Sequence, residues 1–397
     1  MPLETPFRIE PALLEHPSAQ IADVVAEIAA ASVMLGHALH PKTAANLADL
    51  VRMMNCYYSN LIEGHDTRPR EIERAMTGDM DQNEERRNLQ REAIAHIRVQ
   101  TEIDRLAGAG LLPEPASEEF IRRLHREFYA GAPHDMLRIR GAGQEFVMVP
   151  GEWRSEPAHD NAVGRHVPPS SGRVATFMAA FEDRYRLEKL GTASRIIAIP
   201  AAHHRLNYIH PFPDGNGRVS RLMGHAMCLK VGIGAHGLWS ISRGLARGLE
   251  SRLDYKRMMD HADMPRQGER DGRGNLSERA LEEFTLWFLK VCLDQITFMI
   301  SLFDIAALDR RLKALVEKSD GMKPEASKLL TEALIRGEIE RGDCARITGL
   351  PERTARRVLN DTIKSGLLAS STPKGPVSLR FPTDVLEVLF PRLYPAV

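Results

Sequence analysis

The sequence predicts a mostly α-helical protein with a short extended segment in its middle and a winged helix-turn-helix at its C-terminal end. Three observations carry that reading. Apolar residues recur with helical period through most of the 397 residues. Ahead of the tail, short extended runs fall in one stretch between Gly and Pro turns. The tail beyond Lys323 reads as three short helices, the second and third joined by a tight turn, followed by a strand-loop-strand.

Taken in order, residues 1–116 carry helical patterns such as Ile21-Ala-Asp-Val-Val-Ala-Glu-Ile, and the run stops at Gly108-Ala-Gly110-Leu-Leu-Pro113. A central region, 117–263, holds helices over Glu118–Tyr129, Arg173–Lys189, Ala193–Asn207 and Asn216–Lys230. Between the first two of these, residues 144–169 contain Glu-Phe-Val-Met-Val, the turn pair Pro150-Gly151 and a kink at Gly164. Residues 264–320 begin with a polar Gly- and Arg-rich loop, Pro265–Asn275, and continue as one long apolar helix from Ser277 to about Leu315. The last segment, 321–397, places helices at Pro324–Ile335, Arg341–Ile347 and Glu352–Lys364, with Thr348-Gly349-Leu350-Pro351 as the turn and Leu367–Phe381 as the wing.

Composition narrows the function classes. Lys plus Arg equals Asp plus Glu at 53 each, so the formal charge is zero and a globally basic nucleic-acid coat is excluded. The N-terminal residues lack a basic region followed by an apolar run, and no stretch reads as long and uncharged enough to span a bilayer; a cytoplasmic protein with no membrane partner is the expectation. Cys56, Cys228, Cys292 and Cys344 lack metal spacing and read as reduced thiols. There is no Gly-Lys phosphate loop, no Gly-x-Ser-x-Gly and no His-Glu-x-x-His.

Chemistry concentrates in His210-Pro-Phe-Pro-Asp214-Gly215-Asn216-Gly217-Arg218-Val-Ser-Arg221. A Gly-Asn-Gly turn that opens a helix aims free backbone N–H groups at one spot, where the helix dipole also favours an anion. Arg218 and Arg221 stand three residues apart on one face of that helix, so both guanidinium groups can reach one phosphate chain. Asp214 is suited to hold Mg²⁺ against those phosphates. His210 can accept a proton near neutral pH. Asn-Gly and Asp-Gly pairs are ordinary turn formers. A turn, however, needs neither an arginine pair at helical spacing nor a histidine at a set distance.

This stretch resembles the Fic (Fic/Doc) signature, His-x-Phe-x-Asp/Glu-Gly-Asn-Gly-Arg-x-x-Arg, at every specified position. The resemblance implies a helical core that moves AMP from ATP onto a Ser, Thr or Tyr hydroxyl of a protein, itself included, and releases pyrophosphate. It implies His210 as general base and Asp214 as the Mg²⁺ ligand. Gly215, Asn216 and Gly217 become the anion cradle, with Arg218 and Arg221 on the phosphates and Arg221 at the γ-phosphate. Upstream, Ser59-Asn-Leu-Ile-Glu63-Gly64 is similar to the Ser/Thr-x-x-x-Glu-Gly/Asn pattern of the family's inhibitory helix, here about residues 52–64. Glu63 is the only glutamate in the chain followed by Gly or Asn. A carboxylate paired with Arg221 would occupy donors meant for the γ-phosphate and silence the enzyme. Gly64 also suits an ordinary helix C-terminus.

By the same resemblance, residues 144–169 are a β-hairpin flap to which an extended target segment adds by main-chain pairing, with Val163, Gly164, Arg165 and His166 along the nucleotide. Tyr255, in Arg252-x-x-Tyr255-x-x-x-Met259, is similar to a family helix whose tyrosine lines the base pocket; Lys256 stands where that pattern has a second tyrosine. An amphipathic-helix core position describes Tyr255 equally well. The resemblance also makes this chain a candidate homodimer. Other outcomes stay open at this level: transfer of another group such as phosphate, removal of AMP, or a DNA-binding regulator whose core senses nucleotide. For the last, Arg353, Arg356 and Arg357 crowd the third tail helix and suit phosphates or guanine edges. They suit a small packing domain with solvated arginines as well.

Overall fold

The computed structural model describes residues 4–141, 144–160 and 162–394; Asn161 of the expected flap and the outermost residues of the first and last expected segments lie outside these. The chain is mostly helical with few strands. The N-terminal part holds α1 (Ala19–His37), α2 (Pro41–Ile62), α3 (Pro69–Met76) and α4 (Glu84–Gly108). Then come α5 (Glu118–Phe128), the antiparallel hairpin β1 (Arg138–Gly141) and β2 (Gln144–Val147), and α6 (Val174–Tyr185), α7 (Thr192–Ile209) and α8 (Asn216–Lys230). Two short helices, α9 (Ile241–Arg247) and α10 (Asp254–Ala262), precede the long α11 (Glu278–Leu302) and α12 (Ile305–Glu317). The tail comprises α13 (Ala326–Arg336), α14 (Cys344–Thr348), α15 (Glu352–Lys364), β3 (Leu368–Ala369), β4 (Ser378–Leu379) and α16 (Leu386–Leu389).

The chain forms two compact units that interleave in sequence. One comprises Met1–Ala30, Asn55–Gly234 and Ser240–Gln295; the other comprises Ala31–Met54, Ala235–Trp239 and Ile296–Val397. In the first unit α8 is the central element and packs against α4, α5, α7 and α9. Its residues from Asn216 to Cys228 are buried except half-buried Gly217, as expected of a helix with apolar or small residues on every side. Around it, α5 starts at Ser117, whose hydroxyl accepts from Phe120 N at 3.2 Å, with Glu118 and Glu119 in the first turn where the helix dipole favours acid. Its buried face is Phe120, Ile121, Leu124, His125 and Phe128.

In the second unit α13, α14 and α15 pack together, and the β3–β4 hairpin lies beside them. Ile339 bridges Val377 and so adds a short antiparallel pairing to that hairpin. Thr43 of α2 donates to Leu334 O at 2.9 Å, and Arg380 donates to Asn46 at 3.0 Å. The positive φ of Gly349, 75°, lets α14 stop and the chain turn into α15.

Several boundaries differ from expectation for identifiable reasons. The long apolar helix breaks after Leu302 because Asp304 caps a new one, its carboxylate accepting from Ala307 N at 2.7 Å. The first hairpin strand, Arg138–Gly141, precedes the expected flap segment, since Arg-Ile-Arg-Gly has too little alternation to announce a strand. Two helices, α1 and α11, prove long and apolar enough to cross a membrane by length and composition alone, contrary to the expectation from the sequence. Half of the apolar window of α11 is buried within the protein.

Buried histidines set an acid limit on the fold. Burial pushes His96 and His203 down to about 3 and His125 and His210 down to about 4, against an ordinary 6.5. Between those values the unfolded chain holds more protons than the folded one, so stability is present above pH 6.5 and is lost as pH falls toward 4. Thermal unfolding followed across this range should show the melting temperature dropping steadily below about pH 6.5, with protons taken up on unfolding; a flat profile would contradict these neutral imidazoles.

Candidate active site

The motif loop joins α7 to α8, and its shape follows from a few fixed points. His210 ends α7 in the left-handed region (φ 51°, ψ 59°), with its N–H donating to Leu206 O at 2.9 Å. That strained position is held by Arg154, only 1% exposed, which donates to His210 O at 2.6 Å, Ile209 O at 3.2 Å and Pro169 O at 2.8 Å. Asp160 pairs with the same guanidinium at 2.8 Å. Phe212 is fully buried, stacked on the His125 ring at 3.9 Å between centroids. Asn216 closes the loop through its amide: Phe212 N donates to Oδ1 at 2.9 Å and Nδ2 donates to Phe212 O at 2.8 Å.

Gly215 adopts φ 81° and abuts Tyr129, whose ring and hydroxyl lie 3.0 Å from where a Cβ would stand. A side chain there would be strained by conformation and by space. Tyr129 OH donates to Asp214 Oδ2 at 2.7 Å, and Arg218 Nη2 reaches the same oxygen at 3.1 Å. Burial works to raise the Asp214 carboxyl, but Arg218 and the Tyr129 hydroxyl outweigh it and hold the group below its ordinary value. For the His210 ring burial dominates, with Arg154 and His166 adding to it, so the imidazole is neutral at pH 7.

Arg221 is 1% exposed and is held by the end of α2 through Nε and Nη2. Its Nε donates to Ser59 Oγ at 2.9 Å, and Nη2 donates to Ser59 O at 3.2 Å and to Glu63 Oε1 at 2.6 Å. The chain leaves α2 through Gly64 at φ 87°, a left-handed exit that lets Glu63 face the motif helix. A Cβ built on Gly217 would lie 2.5 Å from Glu63 Oε1, so the carboxylate rests against the cradle backbone itself. Burial works to raise the Glu63 carboxyl, but the charges of Arg221 and Arg218 outweigh it and hold the group below its ordinary value, so it is ionised.

The structure therefore brings Ser59, Glu63, Asp214, Gly215, Asn216, Gly217, Arg218 and Arg221 together in the first unit. Val163 and His166 pair across Gly164 (φ 62°), and His166 approaches Tyr208 O at 2.7 Å, two residues before His210. Arg165 is exposed. The Tyr255 hydroxyl lies 2.8 Å from His203 Nε2, close enough to Arg221 to feel its charge. Arg353, Arg356 and Arg357 belong to the other unit. Reasoning from sequence missed Arg154, His125, Tyr129 and Glu92. His125 and Tyr129 stand one helical turn apart at the motif-facing side of α5, a polar pair on an otherwise apolar face that was the available signal.

Among known proteins, residues 115–228 match the Fic/DOC family. Those residues give the chain a Fic/DOC domain. It is 39% identical over 96 residues to the protein adenylyltransferase Fic of Drosophila willistoni and 38% identical over 96 residues to that of Drosophila melanogaster. Each match covers 24% of this chain and 19% of the relative, so the chain spans about a fifth of those curated relatives. A crystal structure of a Fic family protein from Desulfovibrio desulfuricans is similar over 93% of this chain and 98% of its own, with a TM-score of 0.54 at 17% identity. A Fic-domain signaling protein from Bacteroides thetaiotaomicron is similar over 71% of this chain and 96% of its own, with a TM-score of 0.52 at 19% identity. At such identities the likeness is one of fold.

The Arg154 network gives a direct test of the loop. Arg154→Ala leaves three buried carbonyls without their donor, at about 1–3 kcal/mol each. Urea unfolding is expected to show a loss of more than about 3 kcal/mol; a loss under about 1 kcal/mol would mean the loop holds its shape without Arg154.

Proposed function

We propose that this protein is an autoinhibited protein adenylyltransferase, moving AMP from ATP to a Ser, Thr or Tyr hydroxyl of a target protein, or of itself, with release of pyrophosphate. The observation that carries this reading is the Glu63 carboxylate lodged against Gly217 and paired with Arg221. An anion already seated where a phosphate chain would lie implies both a phosphate site and its occupation at rest.

In this mechanism the α8 N-terminus and its N–H groups receive the phosphates once Glu63 leaves, with Arg218 and Arg221 at their flanks. His210, neutral at pH 7, takes the proton as the target oxygen bonds to the α-phosphorus in line. The bond from that phosphorus to the bridging oxygen breaks, and pyrophosphate departs. No cluster of three metal-binding side chains occurs among the described residues, which fits an ion held by the lone carboxylate of Asp214 together with substrate phosphates. Such a Mg²⁺ would neutralise phosphate charge. A groove of about 640 Å³ between hairpin and motif loop, lined by Phe146, Val149, Trp153, His159 and Pro213, suits the target segment.

Wild type, Glu63→Gly and Glu63→Gly/His210→Ala proteins, incubated with α-labelled ATP, Mg²⁺ and lysate, test the reading together. Label on protein should be strong with Glu63→Gly, at least tenfold weaker in wild type and absent in the double variant. Equal labelling by wild type and Glu63→Gly would remove the inhibitory role, and no label from any variant would remove AMP transfer.

A second reading concerns the other unit, which we infer to be a winged helix that binds DNA. Its support is the outward face of α15, where Arg353, Arg356, Arg357, Asn360 and Lys364 are exposed while Ala355, Val358, Leu359 and Thr362 are buried. Glu352 and Asp361 pair with Arg356 and Arg357, and Arg353 has no ion pair among the described residues. Full-length protein should bind duplex DNA with an affinity that falls steeply with salt, and Arg353→Ala/Arg356→Ala/Arg357→Ala should shrink that slope by up to about 3. No binding at low salt would leave the unit as a protein-contact module.

A further inference from the structure

We propose that Glu92, on α4, is the positioning residue for Arg218: it fixes the guanidinium so that Asp214 stays available and the remaining N–H groups are turned to the phosphate chain. This rests on the reading of the site as an ATP-binding one. It assigns a part to a residue 126 positions away that no motif includes.

The geometry is a clamp. Arg218 Nη1 donates to Glu92 Oε2 at 2.5 Å, while Nη2 donates to Asp214 Oδ2 at 3.1 Å. The guanidinium plane rests over the Phe128 ring, 5.3 Å from its centroid. Both partners are well shielded, with 6% of the Arg218 side chain and 14% of the Glu92 side chain exposed, so the charge-assisted bond is a strong one. Arg218 Nε, by contrast, is buried with no hydrogen-bond partner among the described residues. A fork held at one nitrogen by Glu92, at a second by Asp214 and by stacking on its face retains one unspent buried donor. An arriving phosphate oxygen would satisfy it.

Without Glu92 the freed Nη1 has a second carboxylate within reach. Arg218 would close on Asp214 as a bidentate pair, which is the preferred geometry of arginine with a carboxylate. That closure would take Asp214 from Mg²⁺ and turn the fork from the phosphates. Glu92 also lies 3.5 Å from His65 Nδ1, in the turn that follows Glu63. The carboxylate that orders the arginine thus also touches the inhibitory turn.

Charge alone argues the other way, which makes the test sharp. Glu92 is an anion near a polyanion site, and neutralising it should tighten ATP binding if it acted only through its field. Positioning calls for weaker binding. The measurement is the affinity of labelled ATP with Mg²⁺ by equilibrium dialysis, made in the Glu63→Gly protein so that the inhibitory carboxylate is gone. Affinity is compared with Glu92→Ala, and with Glu92→Gln, which keeps an acceptor of the same shape.

The expected result is an affinity at least tenfold weaker for Glu92→Ala and partial recovery for Glu92→Gln, each measured well below the melting temperature of the variant. Adenosine, which has no phosphate, should bind all three alike. An affinity unchanged or tighter in a folded Glu92→Ala protein overturns the proposal. If Glu92→Ala does not fold, an unchanged or tighter affinity in Glu92→Gln overturns it in the same way. Binding is the readout, so a protein that turned out to transfer a group other than AMP would leave this result standing.

Discussion

The ion pair of Glu63 with Arg221 is the constraint on which the rest of the site depends. Arg221 is almost completely buried, and a buried guanidinium must have its donors satisfied or the fold suffers. Ser59 takes the inner side of the group through its hydroxyl and carbonyl. The outer Nη2 is met by Glu63. That last position is the one an incoming phosphate would claim. In the proposed mechanism the same donor serves stability at rest and recognition in the active state, and one carboxylate decides between them.

The cradle shows how strictly the backbone enforces this. At Gly217 even a methyl group would collide with the Glu63 carboxylate, so the glycine is needed for the resting contact as well as for any phosphate approach. At Gly215 the neighbour is Tyr129, which also holds Asp214. Arg154, from the segment after the hairpin, fastens the two carbonyls that end α7. The loop is thus assembled from α5, the post-hairpin segment and α8, and each part contributes hydrogen bonds that the motif residues cannot make among themselves.

How much of this is legible in the sequence follows from where the information sits. The motif from His210 to Arg221 is local, so residue types and spacing are enough to announce the cradle. Helix α15 is legible from end to end because its apolar positions 355, 358 and 359, with Thr362, form one buried face. The supporting shell is not legible. Glu92, Tyr129 and Arg154 reach the motif through tertiary contacts that leave no pattern in their own neighbourhoods. Tyr255 reads equally well as a base-pocket residue and as core, and the structure places its hydroxyl on His203. The break at Asp304 is hidden because a single capping residue interrupts an otherwise continuous apolar pattern. Compact units that interleave in sequence cannot be seen from segment composition, since α1, α2 and α11 each supply residues to both.

The central claim is that Glu63 holds the donor meant for the terminal phosphate. The most direct test is calorimetric titration of wild-type and Glu63→Gly proteins with ATP and with ADP in the presence of Mg²⁺. ADP lacks only that phosphate. Wild type should bind the two nucleotides with similar affinity, and Glu63→Gly should prefer ATP by about tenfold, the value of one charge-assisted contact of roughly 1.4 kcal/mol. A wild-type protein that already prefers ATP by the same factor would contradict the account, because Arg221 would then be open to the γ-phosphate with Glu63 in place.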